Sequence, residues 1–162
     1  MNRDEEPVVR VRLATPEDAA TISSVLLQAF AEYKPLYTPA GFDATTPGPE
    51  DIHNRMAEGP VWVALVDETA VATVSAVPQS ESLYVRGMGV LPAARGYRIG
   101  ELLMRQVETF AASRKCARLF LSTTPFLHRA IALYERLGFS RTANGPHDLY
   151  GTPLFTMEKM LE

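Results

Sequence analysis

The chain has 162 residues, a formal net charge of −3 and an apolar share of 46%. That length suits a single domain with a core that needs no staples, and the negative balance excludes the domain-wide basic field of a general nucleic-acid binder. The one cysteine, Cys116, excludes an internal disulfide framework and suits a reducing cytoplasm, no apolar run reaches the length of a membrane span, and the acidic start MNRDEEP has no secretory core.

VVRVRL at 8–13 alternates apolar and basic residues and predicts a half-buried first strand. Thr15-Pro16-Glu17-Asp18 then reads as a helix start, with a hydroxyl cap, a first-turn proline and acids at the positive dipole end. Ile22, Val25, Leu26, Ala29, Phe30 and Tyr33 continue at helical spacing. From Lys34 to Pro60 the chain carries five prolines and three glycines. That stretch predicts a loop-rich insert with a short helix around 51–56, more in keeping with a substrate rim than a spacer.

The segment 61–77 predicts a hairpin of two mostly buried strands turning near Asp67 to Ala70, and LYVRGMGV at 83–90 a further strand. A helix is expected from about Arg98 to Ser113, burying Ile99, Leu102, Leu103, Val107, Phe110 and Ala111. A strand at 117–123 follows, then a helix after Pro125 that aligns Leu127, Ala130, Ile131, Tyr134 and Leu137 and stops at Gly138. Segments 139–142 and 154–161 complete a mixed α/β pattern, with HDLYGTP at 147–153 read as a loop.

The most informative stretch is RGYRIGELL at 95–103. A strand, a tight turn and a helix start leave backbone N–H groups unpaired in one region, and Arg95 and Arg98 add charge beside them. A phosphate-bearing ligand fits such a turn, with a loop of solvated arginines as the alternative. No Gly-Lys-Ser/Thr follows, so it is not a Walker loop, and Pro92 breaks any dinucleotide fingerprint begun by GMG. Gly87 and Gly89 are equally compatible with a strand bulge and with a ligand lying against bare backbone. Tyr134 reads either as a core tyrosine or as a phenol placed to protonate a leaving group. His53, His128 and His147 have no metal-ligand spacing, and no nucleophile elbow occurs.

Taken together, GMGVLPAARGYRIGELLM and AIALYERLGF resemble the two signature stretches of the GNAT superfamily of acyl-CoA-dependent N-acyltransferases. The family motif Gln/Arg-x-x-Gly-x-Gly/Ala falls on Arg95, Arg98 and Gly100. Arg98 stands where glycine is usual, and Leu127 where many members carry asparagine. The resemblance implies an α/β fold with a mixed sheet of six or seven strands and about four helices, strands four and five splaying into a V. It implies that Met88, Gly89 and Val90 pair with the pantetheine of acetyl-CoA. Arg95, Gly96, Tyr97, Arg98, Ile99 and Gly100 would hold its pyrophosphate.

The family mechanism is direct transfer to a primary amine of a small molecule or protein. The Val90 N–H would face the oxyanion, Tyr134 would protonate the thiolate, and no metal would take part. The acceptor wall would come from the 34–60 insert with Tyr33, Tyr37, Phe42 and Trp62. Candidates for the base are Glu32, Asp43, Glu50, Glu81, His128, Asp148 or a water, with none favoured. A homodimer is common in the family. The competing reading is a non-catalytic module that senses acyl-CoA or binds a protein in the cleft.

Overall fold

The computed structural model describes residues 8–162, so the acidic start MNRDEEP lies outside the described residues. The sheet begins with β1 (Val9–Leu13), β2 (Val61–Val66), β3 (Thr69–Gln79) and β4 (Ser82–Val90), and ends with β5 (Arg118–Thr123), β6 (Ser140–Arg141), β7 (His147–Leu149) and β8 (Thr152–Met160). Its order is β1-β2-β3-β4-β5-β8-β6, with β7 paired to β8. Neighbours run antiparallel except β4 and β5, which are parallel. The helices are α1 (Ala19–Phe30), α2 (Pro39–Thr45), α3 (Pro49–Glu58), α4 (Ile99–Ser113) and α5 (His128–Arg136). The mixed α/β sheet is the expected one, with eight strands and five helices among the described residues in place of six or seven and about four.

Residues of β2 are buried along nearly their whole length because both sheet faces are covered. Trp62, Val74, Leu83, Val85, Leu119 and Leu121 pack beneath α4, whose Ile99, Leu103, Met104, Val107 and Ala111 face them. Ile22 and Leu26 of α1 and Ile52 of α3 cover the opposite face over Val61 and Val63. The strand period of two sends successive β2 residues to these two cores.

The stretch 34–60 is not loop-rich. Its prolines open helices: Pro39 and Pro49 are first-turn residues, where a missing N–H costs nothing. Thr38 caps α2 by accepting from Gly41 N–H at 3.0 Å. The 147–153 stretch is likewise a hairpin, β7 paired with β8, turning at Tyr150 and Gly151 with φ of +51° and +96°. A helical turn does start at Thr15, and it carries a capping box that the sequence reading did not include, with Asp18 accepting from the Thr15 N–H at 2.7 Å and from Arg12 at 2.7 and 3.0 Å.

Candidate active site

β4 and β5 are paired only over Ser82–Tyr84 with Arg118–Phe120. Beyond that seam the strands part, as the resemblance implies, and a cavity of about 530 Å³ opens in the V. β4 also bulges: its register on β3 jumps between Thr73↔Gly89 and Ser75↔Arg86, with Gly87 at φ +63°. Past the bulge, Leu91 N–H donates to Val71 O at 2.8 Å. Antiparallel strands alternate the side to which backbone groups point, so Gly89 faces β3 and Met88 and Val90 turn theirs to the cleft. Gly89 is bare for a further reason. A Cβ there would lie 3.1 Å from both Leu26 and Ala29, so glycine lets α1 approach β4.

The 95–100 turn closes one end of the cavity. Arg98 precedes α4 with φ +58° and makes no side-chain cap. It therefore adopts the left-handed conformation that the usual glycine takes without strain. The first main-chain bond onto α4 is Leu102 N–H to Arg98 O at 3.1 Å. The Ile99, Gly100 and Glu101 N–H groups precede it at the positive end of the helix dipole, an arrangement that attracts anions. Arg95 is committed elsewhere: its guanidinium bonds the Ala29 carbonyl at 3.2 Å and pairs with Glu32. It thus ties the turn to the C-terminal end of α1. Met88, Gly89, Val90, Arg95, Gly96, Arg98, Ile99 and Gly100 all line the cavity, whereas Tyr97 is 40% exposed and does not.

Gly100 is where three elements meet. A Cβ there would sit 3.0 Å from Leu133 of α5 and 4.0 Å from Val90 of β4. The small residue brings α5 against the turn and with it Tyr134, which lines the cavity at 7% exposure. Tyr134 packs on Phe139 at 5.7 Å, and burial pushes its phenol well above the ordinary tyrosine range. It is a protonated phenol at any physiological pH.

Tyr33 and Tyr37 line the other end, Phe42 backs Tyr37 at 6.0 Å, and Ala44, Thr45 and Arg55 join them from the 34–60 stretch. Burial raises the Tyr37 phenol, and the nearby hydroxyls of Thr124 and Thr45 oppose that rise. Trp62 is not part of this wall. It is buried on the α4 side of the sheet against Phe110, at 5.6 Å, because the alternation of β2 sends it there. None of Glu32, Asp43, Glu50, Glu81, His128 and Asp148 lines the cavity; Glu32 is tied to Arg95, and Asp148 accepts from the Gly151 N–H at 2.7 Å.

Sequence reasoning missed several cavity residues: Arg55, Tyr84, Arg86, Thr123, Thr124, Arg129 and Arg136. Arg86 did carry a signal, as a charge inside an otherwise apolar strand. Thr123 Oγ1 is buried without a hydrogen-bond partner. Six arginines and one carboxylate, Glu101, line the cavity among the described residues, and Glu101 is paired with Arg105 at 3.1 Å.

Residues 26–139 match the Acetyltransferase (GNAT) family. The chain is 31% identical to the Escherichia coli K12 protein named Uncharacterized N-acetyltransferase YjgM over 141 residues, 83% of each chain. It is also 31% identical to Streptothricin acetyltransferase of Streptomyces lavendulae over 101 residues, 60% of this chain and 53% of that one. In fold it resembles the PaiA N-acetyltransferase of Thermoplasma acidophilum, solved in complex with coenzyme A. The TM-score is 0.81 at 16% identity, covering 95% of this chain and 99% of that one. A ribosomal-protein-alanine N-acetyltransferase of Brucella melitensis gives a TM-score of 0.73 at 24% identity over 94% and 99% of the two chains. The parted strands, the arginine turn and these relatives together identify the chain as an acetyltransferase of the GNAT family.

Proposed function

We propose that the protein moves an acetyl group from acetyl-CoA directly to a primary amine of a small molecule or protein. The observation that carries this reading is the cleft itself: unpaired β4 backbone, an anion-attracting helix start and a buried phenol border one cavity. The donor's chemistry fits these parts. Its pyrophosphate would take the N–H groups at the start of α4 with the charge of Arg98. Gly96, at φ +94° and bordering open space, leaves room for phosphate oxygens to approach. Its pantetheine amides would use the Met88 and Val90 backbone groups that β5 leaves free.

In the transfer the amine lone pair attacks the thioester carbon, the N–C bond forms, and the C–S bond breaks with its electron pair going to sulfur. The Val90 N–H is suited to donate to the oxygen that becomes negative in between. Tyr134 gives its proton to the departing sulfur and regains one from solvent, and the surplus amine proton leaves to water. Burial raises thiol and phenol alike, since both lose an anion's hydration, so the proton transfer is not prohibitively uphill. None of the acids considered from the sequence lines the cavity, and the one carboxylate that does, Glu101, is paired with Arg105 at 3.1 Å, so the reading leaves the amine proton to water.

The experiment is free-thiol release from acetyl-CoA across an amine panel, beside thermal shifts with coenzyme A. Acetyl-dependent thiol release with at least one amine is expected. Stabilisation by coenzyme A without release for any amine would instead support a non-catalytic acyl-CoA module.

A further inference from the structure

The arginines at the far end of the cavity are not explained by the donor. Arg55, on α3, lines the cavity half-buried and forms no ion pair among the described residues. Its Nη1 lies 2.7 Å from where a Cβ on Gly87 would stand, so it rests over the β4 bulge in space that only glycine leaves open. Arg86, next to Gly87 in β4, also faces the cavity. Its Nη2 is 3.0 Å from Glu58 Oε2, at an angle that makes an ion pair without a directed hydrogen bond, and its buried Nε has no hydrogen-bond partner among the described residues. The one half-exposed carboxylate, Glu58, thus pairs with Arg86 and gives Arg55 only a minor attraction. Asp51, one turn before Arg55 on α3, forms no ion pair with it among the described residues and adds the smallest attraction, and Tyr84 offers a phenol rather than a carboxylate.

A half-buried guanidinium without a carboxylate is costly for the fold alone, because water is removed and nothing replaces it. The same region offers a cationic acceptor nothing: among the described residues no carboxylate lines that end of the cavity. Polyamines and lysine side chains would meet like charge. An acceptor bearing its own anion would fill the vacancy, its carboxylate matching the planar fork of Arg55 while its amine reaches toward the thioester.

We propose that the acceptor is a small amine that carries a carboxylate, an amino acid or close analogue, held by Arg55 with Arg86 reinforcing the positive field. This rests on the acetyl-transfer reading above, and the test separates the two. Each of the common L-amino acids is assayed beside its decarboxylated amine and its amide, by thiol release and by thermal shift in the presence of coenzyme A. At least one amino acid should exceed both neutralised partners about ten-fold or more in kcat/KM and alone give a stabilising shift. Arg55→Gln should raise the KM for that amino acid roughly 10–100-fold, the scale of a lost charge-assisted hydrogen bond. The KM for acetyl-CoA should stay unchanged, and Arg55→Lys should recover part of the loss. Release only with polyamines or decarboxylated amines would overturn the carboxylate inference and leave acetyl transfer standing. Arg55-dependent binding of amino acids without thiol release would do the reverse. Failure of every amino acid to bind or react, or indifference of the best one to Arg55→Gln, also overturns the inference.

Discussion

Arg98 offers a perturbation in which stability and ligand binding should move in opposite directions. Its backbone is left-handed at φ +58°, which costs an L residue roughly 1–2 kcal/mol. Its charge sits at the positive end of the α4 dipole, a further ~0.3–1 kcal/mol against the free protein. Arg98→Gly removes both costs and adds back ~0.5–1 kcal/mol of extra chain entropy in the unfolded state. Taken at their midpoints these leave a net gain of about 1.4 kcal/mol, or roughly 3–6 °C in a chain of 162 residues. Arg98→Ala removes the charge but keeps the strained backbone, so it should gain only a few tenths. Against the donor's phosphates both variants lose one exposed charge, worth about 1 kcal/mol in water, or about five-fold in KM for acetyl-CoA. Calorimetric melting of the three proteins, with acetyl-CoA titrations at low and high salt, reads both effects. Equal melting temperatures for the Gly and Ala variants would refute the backbone argument. An unchanged KM at low salt would refute the electrostatic one.

Tyr134→Phe should leave the fold intact and lower kcat about 10–100-fold, the scale of a general acid, read by thiol release; unchanged turnover across the pH range would remove that role. Asp18 is held down to about 2 by the Arg12 guanidinium beside it and by its bond from the Thr15 N–H. Its folded value is below its ordinary one, so its contribution is present above about pH 5 and is lost as pH falls toward 2. Asp18→Asn should cost roughly 1–2 kcal/mol at pH 7, discounted for the partial exposure of the pair, with the difference mostly lost by pH 2 and gone at about pH 1 in urea titrations. At Gly59, after α3, an added Cβ would overlap the Ala76 carbonyl oxygen. Gly59→Ala should destabilise by about 2 kcal/mol or more in denaturant melts, since backbone rather than a yielding side chain is in the way.

The parts of the site carried by contiguous sequence were legible. Strand, turn and α4 follow from apolar periodicity and two glycines, and the end of α5 from Gly138, which takes φ +98°. The 34–60 stretch misled because proline signals both loops and first helical turns, and only the hydroxyl and glycine before Pro39 and Pro49 tell them apart. The turn at Tyr150 was hidden for a related reason, since a tyrosine in a left-handed position gives no local warning. Arg55 and Arg86 lie on different elements, and Arg55 reaches the β4 bulge in the space that Gly87 leaves open. Trp62 shows the limit of residue type as a guide: an aromatic near the right segment lay on the wrong side of its strand.

The short seam between β4 and β5 has a mechanical consequence. Three ladder pairs join β1–β4 to β5, β8 and β6, and α4, in the connection between them, packs chiefly on the first four strands with Leu119 and Leu121 of β5 in the same core. Main-chain bonding across the sheet is thus narrowest at this seam, while the side-chain core beneath α4 spans it. A ligand bonded in the notch acts as a clasp, supplying rungs that the ladder lacks. Hydrogen exchange along 85–90 and 121–123 should therefore slow sharply when coenzyme A binds, far more than in β1 or β2, which already have their partners.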